Sequence, residues 1–548
     1  MGPLATIDRY WQTLRWLKPV QIYGRLWFRA VRPRPDLSPA PPRRSPSGAW
    51  TPPARRAASL VGPGVFQFLN QSGDLSDCGW DDPARDKLWR YNQHYFDDLN
   101  AVGTAARTSW HVALVDHWLA HNPPGLGSGW EPYPTSLRIV NWIKWALDGH
   151  ELDDAAVQSL AVQVRWLRRR LEWHLLGNHL FANAKALVFA GLWFEGPEAQ
   201  SWLNTGLAIL ARQVPEQILS DGGQFELSPM YHALALEDVL DLLNVCRCFG
   251  DGLAPEQSAQ MNRLSERVGS MRMWQAAMSH PDGRIAFFND AAFGIAPENT
   301  ELEAYASRLG FGAAPDLGAR VWLPATGYVR LSQPGAVLIA DLGDAGPTYL
   351  PGHAHADTLS FELSIHGQRL FVNSGTSIYG LSAERLRQRG TAAHNTLLVE
   401  GKNSSDVWSG FRVGRRARPH RRLVTQIGQG QTAQASHDGY RHLPGRPSHH
   451  RQWTLSPGVL RIQDELGAKD LNAEARYHLH PDVRAMLAED GKGVFTLPGG
   501  QDVLWNAWGD GVRLEPSTWH PEFGVSRPSI CLVVPVRGHR AALDVSWS

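Results

Sequence analysis

The strongest constraint on how this chain folds is a change of hydrophobic period near residue 318. Before it, apolar side chains recur with helical spacing: Leu236, Val239, Leu240 and Leu243 fall at i, i+3, i+4 and i+7, on one face. The stretches 136–148, 156–176, 179–194, 201–219 and 257–278 carry similarly broad apolar faces between Gly, Pro and Asn breaks. After it the period is two. In Thr358–Ile365, the residues Leu359, Phe361, Leu363 and Ile365 alternate with polar ones, His366-Gly367 reads as a turn and 369–372 as the returning strand. Runs 336–341, 396–400, 459–466 and 530–536 are also strand-like. The order is helices first and antiparallel strands second, an α+β chain with three expected regions. These are a lead-in over 1–100, a helical bundle, solenoid or toroid over 101–317, and a β-sandwich over 318–548.

Within the lead-in, residues 1–30 mix Trp11, Trp16 and Trp27 with Arg9, Arg15, Arg25 and Arg29. That pattern lacks the uninterrupted apolar run of an export signal or a membrane span. It predicts a cytoplasmic protein and allows an amphipathic contact with a membrane surface. The Pro/Arg/Ser-rich tract over 31–60 cannot bury enough apolar surface to fold alone, and is expected to be extended, draped or mobile.

A net charge of +1 supplies no global field for nucleic acid, although a local basic cleft would still suit an acidic polymer. The 23 tryptophans serve as core first and as sugar-stacking platforms second. Cysteine is used only at Cys78, Cys246, Cys248 and Cys531, with neither a disulfide framework nor a zinc-type Cys-x-x-Cys pair.

Four polar clusters interrupt these patterns. Asn178-His179 opens an apolar helix, where Asn178 reads either as an N-cap or, with the imidazole, as a carboxylate site. The turn Asp221–Glu226 leads into a helix whose first turn carries Tyr231, a phenol placed either in a cleft or in a helix interface. His353-Ala354-His355-Ala356-Asp357 sets two imidazoles on one side of an extended segment beside a carboxylate, a spacing suited to metal. Asn373–Thr376 and Arg389–Asn395 place His394 just before a strand, where it reaches the first two histidines or caps its own loop. Arg385, Arg387, Arg389, Arg412, Arg415 and Arg416 line a cleft or form a solvated loop face.

At these residues the chain resembles the heparinase II/III-like polysaccharide lyases, a subgroup of which is associated with bacterial surface-polysaccharide production. The resemblance runs through Asn178-His179, 221–231, 353–357, 371–376 and 389–395. It implies an incomplete (α/α) toroid packed on an antiparallel β-sandwich, with β-elimination at a uronic acid in the cleft between them. By the same resemblance Asn178 and His179 hold the sugar carboxylate, Tyr231 is the acid and His353 the base, and Glu226, Arg389 and Asn395 contact an acidic polysaccharide. The elimination requires no cofactor. Some members hold a structural zinc, and the matching positions are His355, Asn373 and His394. Asn373 replaces an acidic ligand there, and without metal it hydrogen-bonds His355 or His394 instead. The competing readings are a glycoside hydrolase, which needs two facing carboxyl groups such as Glu226 and Glu362, and a non-catalytic polysaccharide-binding or assembly factor. Within Thr358–Ile365 a solvent-facing place accounts for Glu362.

Overall fold

In the computed structural model, which describes residues 3–508 and 511–548, helices precede strands as the change of period predicts. Of the N-terminal segment, Met1 and Gly2 lie outside the described residues, as do Gly509 and Asp510. Two amphipathic helices come first, α1 (Pro3–Leu14) and α2 (Pro19–Ala30). The Pro/Arg-rich tract is draped. Arg43 forms a backbone bridge with Phe194, the Ala40 amide donates to the Gln158 side chain, and Arg165 donates to the Pro39 carbonyl, so the helical half satisfies its extended backbone. A three-stranded sheet over 60–74, absent from the sequence reading, closes the lead-in.

The helical half runs to Asn299–Arg308, and several of its helices begin with proline at the first turn, as at Pro132, Pro197, Pro229 and Pro255. The expected helix over 156–176 stops at Arg169, and that over 257–278 divides into Pro255–Ser265 and Val268–Ala277. Gly177–Trp193 is buried almost all round and forms the centre of the helical core. Its composition explains this: apolar residues surround the helix instead of striping one side. The tryptophans serve mainly as core, with Trp89, Trp118, Trp142, Trp145, Trp202, Trp274 and Trp453 among the largest fully buried side chains.

From Arg320 the strands form two layers. One is an eight-stranded antiparallel sheet; the other joins a five-stranded and a four-stranded sheet through the Phe371–Leu479 bridge. Side chains from all three sheets share one core, including Leu363, Tyr477 and Trp453. Alternation is clean in His449–Ser456 and Val459–Leu466. It fails in the strand that begins at Phe361 instead of Thr358, where every residue is buried. The polar face of that strand meets the helical half, not water. Glu362 lies 2.8 Å from His280 Nε2 and accepts from the Asn373 backbone amide at 2.7 Å, which corrects the solvent-facing expectation for Glu362.

Candidate active site

The loop Gly352–Asp357 carries its two histidines to one carboxylate that the sequence reading missed. His353 Nδ1 lies 2.8 Å from Asp290 Oδ2, and His355 Nε2 lies 2.9 Å from Asp290 Oδ1. Arg385 forks onto the same carboxylate, with NH2 2.6 Å from Oδ2 and NH1 on Oδ1. Burial opposes ionisation of Asp290, but the Arg385 guanidinium and the two imidazole hydrogen bonds hold its carboxyl well below the usual range. An ionised carboxylate only accepts, so both imidazoles donate to it. His353 therefore carries a proton on Nδ1, and the lone pair of its neutral form is on Nε2. His355 is fully buried, whereas the His353 side chain retains 16% exposure.

From the helical half, Ser228 caps the helix Pro229–Cys248 by accepting from the Tyr231 amide, which fixes Tyr231 on the first turn. The Tyr231 ring centroid lies 4.0 Å from that of His353, and its hydroxyl is 3.0 Å from that of Tyr379. Burial, followed by the neighbouring Tyr379 hydroxyl and the Asp290 charge, pushes the Tyr231 phenol well above its ordinary range. Glu226 is buried, with Oε2 lacking a hydrogen-bond partner and lying 3.5 Å from His353 Nε2.

Asn178 and His179 stand on the first turn of Gly177–Trp193, half-buried. Asn178 is not the N-cap; that place belongs to Leu176, so the cap reading of Asn178 is corrected and its amide is not used to cap the helix. Leu176 has φ 64° and Gly177 φ 55°, and a Cβ at Gly177 would collide with Leu350 Cδ2 and stand 3.2 Å from Glu226 Oε1. Only glycine fits there. Non-glycine residues with positive φ adjoin the other site residues too: Leu227 follows Glu226 and Asn289 precedes Asp290, a concentration of backbone strain around the cleft. His179 Nδ1 lies 3.1 Å from Glu172 Oε1; burial disfavours its charged form, but Glu172 and Glu226 outweigh that and raise its pKa. An imidazole whose protonated form is favoured, an amide not spent on the cap and a helix N-terminus together suit a carboxylate.

His355 Nδ1 faces His394 Nε2 at 3.2 Å. The Asn373 amide nitrogen donates to the Phe287 carbonyl at 2.9 Å, which aims its oxygen at His394 Nδ1, 3.3 Å away. Asn373 thus orients His394 from behind instead of joining a ligand set, as its place in the expected metal site implied. With Asp290 and Asn373 both accepting, neutral imidazoles point two lone pairs at each other, an arrangement that a cation or a shared extra proton relieves. Asp357 supplies the acidic group: its carboxylate and the two ring nitrogens lie within 4.8 Å of one another, all buried. Two imidazoles, each oriented by a second partner, and a carboxylate form a donor set that fits zinc.

His355, His394, Asp290 and Arg385 form a buried quartet, and the sandwich holds a second one of the same composition. His437 Nε2 lies 3.1 Å from His449 Nδ1, His449 Nε2 2.6 Å from Asp464 Oδ1, and Arg451 NH2 2.8 Å from Asp464 Oδ2. Here the far nitrogen of His437 accepts from the Gly439 amide at 3.1 Å, so His437 donates to His449 and the chain of hydrogen bonds closes without an ion.

Two expected polysaccharide contacts are turned inward. Arg389 is fully buried and donates to the carbonyls of Ala354 and Gly410; it braces the His353 loop. Asn395 is fully buried between the Phe361 carbonyl and the His478 amide. A fully buried side chain whose hydrogen bonds are committed to backbone does not reach a polymer. Of the basic group, Arg385 and Arg389 belong to the interior and neither lines the cleft wall. Besides Asp290, the sequence reading missed Tyr379 and Phe411, whose ring lies 5.9 Å from that of His353. The only signal for Asp290 was the polar pair Asn289-Asp290 directly after four apolar residues, Ile285 to Phe288, where the helices give out.

The heparinase II/III N-terminus model matches residues 109–306, and the heparinase II/III-like C-terminal model matches 315–548. The chain belongs to the heparinase II/III family. Within this heparinase-type fold it is similar to a crystal structure of heparinase III, with a TM-score of 0.65 at 16% identity over 85% of this chain and 77% of that one. A heparin-sulfate lyase of Bacteroides stercoris is 28% identical over 246 residues, 41% of this chain, and the chain covers 36% of that lyase's length. FtsZ-localized protein C of Caulobacter vibrioides is 27% identical over 491 residues, 84% of this chain and 80% of its own length.

Proposed function

We propose that the chain is a polysaccharide lyase that cleaves a uronic-acid-containing acidic polysaccharide by β-elimination. The observation that carries this reading is the Tyr231–His353 pair, with the His353 tautomer set by Asp290 and the phenol pushed well above its ordinary pKa. His353 Nε2 takes the C5 proton of the uronic acid, and the electron pair forms the C4–C5 double bond as the C4–oxygen bond breaks. Tyr231, still protonated, gives its proton to the departing oxygen. Asn178 and His179 hold the sugar carboxylate and stabilise the charge that develops on it. Glu226, through its unpartnered Oε2, accepts a hydrogen bond from a sugar hydroxyl.

A hydrolase needs two accessible carboxyl groups across the scissile bond. Glu362 is spent on His280, and Asp290 on two imidazoles and a guanidinium, which leaves Glu226 without a partner of its own kind. Heparin-sulfate lyases among the relatives and heparinase III among the solved structures support the elimination reading.

Zinc held by His355, His394 and Asp357 is part of this proposal. When bound it relieves the facing lone pairs and stiffens the loop that carries His353. Metal analysis of purified protein tests it: about one zinc per chain is expected, lost in His394→Ala, and a metal-free native protein overturns it.

The decisive assay incubates the protein with a panel of acidic polysaccharides and follows ultraviolet absorbance of the conjugated double bond. New reducing ends without that absorbance would identify a hydrolase. A second reading, a non-catalytic binding or assembly factor, is favoured by the match to FtsZ-localized protein C over most of both chains. It wins if no polymer is cleaved and the Tyr231→Phe strain keeps its wild-type phenotype. Cytoplasmic residence completes the proposal, supported by four cysteines that are all free thiols, and is checked by cell fractionation.

A further inference from the structure

An amphipathic helix on a soluble protein normally turns its apolar stripe inward. The two N-terminal helices do the reverse. On α1, Ile7, Tyr10, Trp11 and Leu14 recur at i, i+3, i+4 and i+7, and all four are exposed. On α2, Ile22, Tyr23, Leu26 and Trp27 form the corresponding stripe, also exposed. Trp11 is 61% and Trp27 67% exposed, unlike the core tryptophans.

What faces inward is largely polar. Arg9 pairs with Asp406 at 2.8 Å, Trp408 Nε1 donates to Thr13 Oγ1 at 3.1 Å, and buried Gln21 donates to the Tyr349 carbonyl at 3.3 Å. Lys18 pairs with Glu216 and lies 3.8 Å from the Tyr349 ring centroid, while Phe28 packs on His174 at 4.2 Å. Tyr10 also meets Trp408 edge-on, centroids 5.2 Å apart; these contacts attach the helices to both halves of the molecule and leave the rest of the apolar stripes outward.

The charge around the stripes is almost all positive. Between residues 3 and 34 the sole carboxylate is that of Asp8. Arg15, Arg25, Arg29, Arg32 and Arg34 take part in none of the ion pairs found among the described residues. The charged neighbours of Arg25 are Arg29 and Arg412, and Arg418 joins Arg15 over the Trp16 ring, their guanidinium carbons 5.3 and 4.7 Å from its centroid. Aromatic side chains among unpaired arginines match the headgroup zone of an anionic bilayer, where indole sits at the boundary and guanidinium meets phosphate. No helix among the described residues is long and apolar enough to cross a membrane, and α1 and α2, of 12 residues each, are too short to do so.

We propose that α1 and α2 dock the protein on an anionic lipid surface through Ile7, Tyr10, Trp11, Leu14, Leu26 and Trp27. The attachment points of these helices lead to the cleft: the loop of Asp406 and Trp408 continues to Phe411 beside His353, and the loop of Tyr349 continues to Leu350 against Gly177. Docking therefore holds the cleft close to the lipid surface. This inference stands independently of the lyase reading.

Flotation of the full-length protein with vesicles tests it. The protein is expected to rise with mixed phosphatidylglycerol–phosphatidylcholine vesicles and far less with phosphatidylcholine alone. The double variant W11S/W27S should reduce the floated fraction at least about tenfold, with melting temperature and cleavage of soluble polymer unchanged. Wild-type protein that stays at the bottom of the gradient with the mixed vesicles overturns the proposal, as does a double variant that floats equally well. A lipid-free dimer lost in W11S/W27S, without flotation of the wild type, would assign the face to a second copy of the chain and also overturn it. Absence of unsaturated product would bear on the lyase reading alone.

Discussion

Tyr231 and His353 meet ring to ring, centroids 4.0 Å apart, with the phenol supplied by the helical half and the imidazole by the strand half. Neither half holds the pair alone. The acid–base chemistry therefore depends on how the halves seat against each other, and Asp290, between them, is the common fixture.

Tyr231→Phe removes the proton donor while keeping the ring contact with His353. Elimination should fall by roughly 10²–10⁴-fold, the usual range for losing a positioned acid. The melting temperature should stay within a few degrees, since among the described residues the lost hydroxyl hydrogen-bonds only that of Tyr379. Rates of product absorbance beside thermal unfolding check this, and an unaltered rate removes Tyr231 from the mechanism.

Asp290→Asn keeps the shape and deletes the charge. Arg385 is then buried without its counterion, and removing one partner of such a pair costs about 3–5 kcal/mol. The His353 tautomer is also released, so kcat should fall further than the stability loss explains. Denaturant unfolding and single-turnover rates on the folded fraction separate the two effects.

How much of this was legible in the sequence depends on the kind of signal. The change of period near 318 located the two halves, because buried faces must follow the repeat of their secondary structure. His353, His355 and His394 converge as expected, because a polar cluster inside an apolar pattern demands a partner. Asp290 was not legible: a single carboxylate in a loop looks alike whether it faces water or two imidazoles. Arg389 and Asn395 were misplaced for a related reason, since a basic or amide residue near a cleft motif does not reveal whether its hydrogen bonds go to substrate or to backbone. Glu362 fits the alternation of a solvent-facing strand, and only the seating of His280 against it shows otherwise.

Arg389→Met tests that distinction. The Ala354 and Gly410 carbonyls lose buried donors, at about 1–3 kcal/mol for each group left unsatisfied. The substitution should lower stability and leave KM for the polymer unchanged in the folded fraction. A raised KM at full stability would return Arg389 to the substrate path.

Acid stability follows from histidines held neutral by burial. His232 accepts from the Gln224 amide on Nδ1 and lies 2.9 Å from the Met271 carbonyl through Nε2. Burial lowers His94, His232 and His478 to about 3 each. With folded values below the unfolded one, their contribution is present above about pH 6.5 and is lost as pH falls from there towards 3. Each group should add up to about 1.4 kcal/mol per pH unit to the slope. Unfolding free energies at pH 7.5, 6 and 5 should decline accordingly, and His232→Gln should flatten the slope; an unchanged slope contradicts the assignment.

The two histidine–histidine–aspartate–arginine quartets make the protein its own reference sample. Composition and burial are matched, and the difference lies at the far end, where His437 meets a backbone donor and His394 an amide acceptor. Nitrogen resonances of the two imidazole pairs, recorded in one spectrum, should respond differently when a chelator is added. The closed quartet supplies the fixed baseline against which any movement at the open one is read.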